Sequence, residues 1–179
     1  MSRLMSKDQE LLESPLSSQE LAERYRDLCY DRRFANVPGK IELDVWGRML
    51  MTPASVYHAR IQGRLCQKLA ILGGGETLIE AGIATPMGLF VPDLAWASTP
   101  FISRHAGQWV LTEAPELCIE VVSPTNSVKE MEEKTAAYLA AGAEEAWIVY
   151  PQSERYEVYG KQGLLQRSAY PIDWVGVFV

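Results

Sequence analysis

Two apolar segments separated by one helical stretch constrain this chain most. Leu117-Cys118-Ile119-Glu120-Val121-Val122 encloses a single glutamate in five apolar residues, the composition of a central strand covered on both faces. Residues 128–141 then follow a helical pattern, capped by Ser127 or Asn126 and stopped by Gly142. Residues 146–150, closed by Pro151, form a second apolar strand. Strands joined by a helical crossover predict a parallel pair. The chain is therefore expected to be α/β or α+β, with one central mixed β-sheet flanked by helices.

The remaining segments extend this plan. A helix should run from Ser17 or Ser18, either of which can cap it, to about Cys29. Ile41-Glu42-Leu43-Asp44-Val45 alternates as a half-buried strand does. Trp46-Gly47-Arg48 turns it into Met49-Leu50-Met51, and Thr52-Pro53 ends the hairpin. Residues 55–72 form a helix with an apolar stripe of Ile61, Leu65, Leu69 and Leu72, stopped by Gly73-Gly74-Gly75. Strands follow at 78–83 and 89–97, and a last hairpin joins 156–159 to 164–166. At 179 residues the whole fits one domain of about 100–200 residues: a helical extension over 1–38, a core over 40–160 and a strand segment over 161–179.

Several function classes fall away. With 47% hydrophobic and 22% charged residues the chain is neither disordered nor fibrous. It has no run of roughly 18 apolar residues to span a membrane. Residues 1–10 lack the apolar centre of a signal peptide, so a cytoplasmic location is expected. Cys29, Cys66 and Cys118 show no CxxC spacing and suit free thiols. The glycine run follows a helix and carries no GxxxxGK[ST], which excludes a phosphate-binding loop; GxSxG and HExxH are also missing. Seventeen basic against 23 acidic residues give a net charge of −6, which argues against a non-specific nucleic-acid coat but not against a local basic groove.

What remains is the acids. An unpaired carboxylate inside a dry sheet costs several kcal/mol or more unless it is protonated, paired or bound to a metal. Glu120 is one such residue. Asp93, in Leu89-Phe90-Val91-Pro92-Asp93-Leu94-Ala95-Trp96, is another, placed after a proline that cannot donate to a ladder. Glu120 could instead be met by a Lys or Arg, and Asp93 could end its strand on its own backbone. Two such acids on neighbouring strands could hold a hard divalent cation. His58, in the first turn of its helix, reads as an exposed or capping histidine in preference to a catalytic one. Arg60, Arg64 and Lys68 form a basic stripe, either a solvated helix face or a contact for phosphates.

Val91-Pro92-Asp93, the series Pro115-Glu116-Leu117-Cys118-Ile119-Glu120-Val121-Val122-Ser123-Pro124, Glu133-Lys134, Tyr138, Gly142 and Trp147-Ile148-Val149-Tyr150-Pro151 together resemble the Uma-two family of restriction endonucleases. Glu42-Leu43, Met51-Thr52-Pro53 and His58 extend the resemblance over about residues 40–160. That family is assigned to the PD-(D/E)xK nuclease superfamily. The resemblance implies a restriction-endonuclease-like core, Mg²⁺ (or Mn²⁺) as cofactor, DNA as substrate, and Asp93 and Glu120 as metal-binding acids. The superfamily's lysine two residues past the second acid is Val122 here, and its counterpart in this pattern is Lys134. Lys134 is alternatively a surface partner of Glu130, one helical turn earlier. Glu42 resembles the early acid that completes such sites, or is a polar residue on the wet face of its strand. Departures are Tyr150 for an Asp, and Trp46-Gly47-Arg48 for Asp-Gly-Glu. Cutting both DNA strands would call for two sites, hence a homodimer. The alternative is a nuclease-fold binding module without turnover.

Overall fold

The computed structural model describes residues 14–34, 40–52 and 55–179. The polar start of the chain and Pro53, the expected end of the first hairpin, lie outside them. Helix α1 (Ser18–Tyr30) opens on Ser17, whose Oγ accepts from Glu20 N while Glu20 Oε2 accepts from Ser17 N at 2.8 Å, a reciprocal cap. Strands β1 (Lys40–Asp44) and β2 (Met49–Thr52) form the first hairpin, and α2 (Val56–Leu69) follows. Next come β3 (Gly75–Ile79), β4 (Ile83–Thr85), β5 (Gly88–Phe90) and β6 (Leu94–Ser98). Helix α3 (Thr99–Arg104), capped by Ser98 with a proline in its first turn, carries no apolar periodicity in the sequence. The unit β7 (Leu117–Val121), α4 (Val128–Ala140), β8 (Glu145–Tyr150) precedes the closing hairpin β9 (Arg155–Gly160) and β10 (Gly163–Leu164).

The expected parallel pair is β7–β8, with Glu120 beside Ile148. The expectation of one sheet is corrected: the described residues form two. A six-stranded sheet runs β10-β9-β8-β7-β6-β3, and a four-stranded sheet runs β2-β1-β5-β4. The reason lies in residues 78–97, read as two continuous strands. Both break at the same level. Glu80 takes a left-handed φ of 52°, and Pro92 has no N–H to continue a ladder. On one side of the break β3 pairs with β6 in the large sheet; on the other β4 pairs with β5 in the small one. A single long hairpin thus turns a corner from one sheet into the other, and Asp93 sits at that corner, its carbonyl 3.4 Å from Glu80 N.

Among the described residues three apolar cores hold the layers. Ile61, Leu65 and Leu69 of α2 pack on Leu94, Leu117, Ile119 and Trp147, on one face of the large sheet. Ala137 and Tyr138 of α4 cover Ala95, Cys118 and Ala146 on the other. Leu21 of α1 joins Leu43 and Leu89 of the small sheet and Val91 just beyond it. Truncating any of these leucines to alanine should cost about 2–5 kcal/mol. Residues 165–179 do not extend the sheet; Trp174 and Phe178 instead lie against the α2 core.

Candidate active site

Glu120 is the fourth residue of β7, inside a strand buried along its whole length. The β6–β7 register pairs Leu94 with Ile119, so Asp93 falls beside Glu120 one step beyond the ladder. There Val121 N donates to Asp93 Oδ2 at 2.7 Å. Glu42 comes from the other sheet. The N–H of Val91, freed where β5 ends, donates to its Oε1 at 2.8 Å. All three acids are buried, with exposures of 3% for Glu42, 3% for Asp93 and 5% for Glu120. The wet-face account of Glu42 is therefore corrected: the small sheet turns that face of β1 onto the corner.

Lys134 projects from α4 between two of these acids, 2.9 Å from Glu42 Oε1 and 3.4 Å from Glu120 Oε1. Its surface pairing with Glu130 is excluded, because Lys134 is only 4% exposed and Glu130 accepts from Asn126. One turn further along α4, Tyr138 Oη donates to Glu120 Oε1 at 2.5 Å. Residues four apart share a helix face, so α4 carries the lysine and the phenol into the site together.

Two further residues complete the cluster. Lys40 Nζ lies 2.8 Å from Asp93 Oδ1. Nothing singled it out in the sequence, although residues two apart on a strand share a face, so an inward Glu42 brings Lys40 with it. His58 Nε2 lies 3.0 Å from Asp93 Oδ2 with its side chain 13% exposed, which corrects its reading as an exposed or capping residue. Ser55 caps this turn of α2 by accepting from His58 N, and one turn on Gln62 donates to the carbonyl of Asp93 at 2.8 Å.

The basic stripe goes elsewhere. At about 100° per residue, positions 60 and 64 lie roughly opposite 58 and 62 on α2, and 68 lies about 80–120° from them. There Arg64 Nη1 donates to the carbonyl of Val177 at 3.2 Å, Arg60 reaches that of Val179 at 3.5 Å, and Lys68 pairs with Asp173 at 2.9 Å. The carboxy-terminal segment of the chain, not open solvent beside the acids, faces the stripe.

The fields divide the two central acids. Burial opposes ionisation of Asp93, but His58 and Lys40 outweigh it and hold the carboxyl down to about 2. Burial dominates at Glu120 and raises it, with Asp93 and Glu42 adding repulsion that Lys134 and Lys40 do not cancel. The bond to Asp93 raises the His58 imidazole. At Lys134 burial acts downward, and the carboxylates of Glu120 and Glu42 overcome it, holding the ammonium charged. Neighbouring titratable groups pushed in opposite directions are typical of sites that move protons or bind ions.

Among the described residues, no cluster of three or more His, Cys, Asp or Glu side chains could by itself hold a metal ion. Asp93 and Glu120, side by side across β6 and β7, are the residues that could share one hard divalent cation. Mg²⁺ is usually held by one or two carboxylates, with waters and substrate phosphates completing its shell.

Comparison with known proteins gives a family and a fold. The model of the Uma2 family, described as "Putative restriction endonuclease", matches residues 22–175, wider at both ends than the motifs alone. Of solved structures, a putative nuclease of DUF820 from Anabaena variabilis ATCC 29413 superposes with a TM-score of 0.64 at 17% identity, over 89% of this chain and 90% of that one. At that identity the likeness is one of fold. No curated protein matches the sequence. Among the described residues no helix is long and apolar enough to cross a membrane.

Proposed function

Because the chain belongs to the Uma2 family, and because its buried acids meet where two sheets join, we propose that it is a divalent-metal-dependent nuclease that hydrolyses phosphodiester bonds in DNA. The observation that carries this reading is the convergence of Glu42, Asp93, Glu120 and Lys134 on one corner of the fold. Burying three carboxylates together is costly unless cationic partners offset it, and here the ammonium groups of Lys40 and Lys134 lie among them.

Asp93 and Glu120 would hold Mg²⁺ or Mn²⁺. Such an ion acidifies a bound water and offsets charge on the phosphate. The chain's own groups supply the rest. Tyr138 and Lys134 fix the rotamer of Glu120, and Glu42 anchors Lys134. The Lys134 ammonium adds positive potential where the phosphate becomes more negative. His58 fixes Asp93 and is a proton carrier beside it. DNA as substrate follows the family's description, and a homodimer would place one site on each strand.

Incubating supercoiled plasmid with purified protein and Mg²⁺ or Mn²⁺ tests the reading. Wild type should nick or linearise the plasmid, linear product marking paired sites. Asp93→Ala and Glu120→Ala should each abolish cutting. Undiminished cutting by both variants, after controls for contaminating nuclease, would remove the acids from the mechanism. Tight plasmid binding by wild type without cutting would leave a nuclease-fold binding module.

A further inference from the structure

Asp93 Oδ1 faces Lys40 Nζ at 2.8 Å, while Oδ2 accepts from Val121 N and contacts His58. The Lys40 ammonium also stands in the fields of Glu120 and Glu42, which with Asp93 outweigh the cost of burying it. Lys40 therefore touches Asp93 alone while feeling the charge of all three carboxylates. With the His58 imidazole neutral, three acids against Lys40 and Lys134 leave a net −1. Adding a divalent cation to that set would bring a buried site to +1, which is costly. With Lys40 withdrawn the set carries −2, which one divalent cation cancels.

The lysine has somewhere to go. It is the first residue of β1, its charge rides on a flexible four-carbon stem, and its side chain is 12% exposed. It lines a cavity of about 340 Å³ together with Tyr25, Cys29, Ile41, Glu80 and Val91, where Glu80 offers another carboxylate. Lys134 has no comparable freedom, being 4% exposed and held by two acids.

We propose that Lys40 is a built-in counter-ion of the metal-free site, which a divalent cation must displace from Asp93 in order to bind. The lysine thereby stabilises the empty site and weakens metal affinity. The inference rests on the metal-binding reading of Asp93 and Glu120.

Titration calorimetry with MnCl₂ separates the two, and it needs no nuclease activity. Lys40→Met keeps the stem and removes the charge. It should bind Mn²⁺ at least ~10-fold tighter than wild type, since a like charge a few ångströms away is gone. Lys129→Met makes the same change in net charge at an exposed position on α4 and should stay within about twofold. Lys40→Arg keeps the charge and grips a carboxylate with a planar fork; it should bind no tighter than wild type, and it covers the case in which the Met variant does not fold. Wild-type or weaker affinity in Lys40→Met, or tighter binding by Lys40→Arg, would overturn the counter-ion role while leaving the metal site intact. Absence of Mn²⁺ binding in wild type and variants alike would sink the metal reading and this inference together.

Discussion

The ammonium of Lys134 is wedged between Glu42 and Glu120 at 2.9 Å and 3.4 Å. Removing one partner from a buried ionic cluster leaves uncompensated charge and typically costs about 3–5 kcal/mol; an exposed helix pair would have cost under ~1 kcal/mol. Lys134→Ala should therefore lower the unfolding free energy by about 3 kcal/mol in urea titrations. A loss below ~1 kcal/mol would show that the three groups are solvated. Under conditions where the variant is folded, its cutting rate should fall at least ~10²-fold, as on losing a transition-state donor. Glu120 and Asp93 could be picked out in the sequence because an acid in an apolar strand is anomalous. Lys40, and His58 apart from its place in the family resemblance, carried no such anomaly. Each sits on a polar face that the periodicity assigns to water, and a polar face turned onto a carboxylate leaves the same pattern as one turned outward.

At the scale of elements, the crossover β7–α4–β8 was legible because a 3.6 period between two apolar runs has few other meanings. The sheet switch was not. Strand propensity runs unbroken through 89–97, and only Pro92 hinted that the ladder stops there. The corner depends on close approach of β5 to β1, and this is where Gly88 matters. Its φ is +138°, and a Cβ there would lie 2.6 Å from the carbonyl oxygen of Leu43. Gly88→Ala should force the strands apart at the Leu43–Leu89 and Asp44–Gly88 pairs. The expected loss is about 2 kcal/mol or more, from strain combined with broken ladder bonds. Because Glu42 is one residue from that contact, hydrogen exchange at Leu43 and Leu89 should accelerate while that of β7 and β8 stays slow. Uniform acceleration across both sheets would mean that the corner is not a separate mechanical element.

For the whole molecule, the acids couple stability to pH and to metal with opposite signs. Asp93 is held down to about 2 from 3.8, so it stabilises the fold above pH 3.8, and that contribution, about 2 kcal/mol, is lost as the pH falls toward 2. Glu120 is raised above 4.5, chiefly by burial. Its ionised form is thus less favourable folded than unfolded, and it opposes folding increasingly as the pH climbs past 4.5. Replacing Glu120 with Gln removes that opposition while keeping shape, and changes the count of three acids against two lysines from −1 to zero. Without metal, Glu120→Gln should melt at or above wild type at pH 7, and the difference should shrink as the pH drops toward 4. Lys134 limits the gain, since it keeps only Glu42 as an ionic partner. With Mg²⁺ at a hundredfold excess over its dissociation constant, wild type should gain roughly 2.7 kcal/mol by mass action, and the variant should lose most of that gain. Calorimetric melts of both proteins, with and without Mg²⁺ at pH 7 and with EDTA at pH 4.5, carry the comparison. A variant that melts well below wild type in EDTA, yet responds equally to Mg²⁺, would make Glu120 a structural partner of Lys134 and Tyr138, and not a ligand.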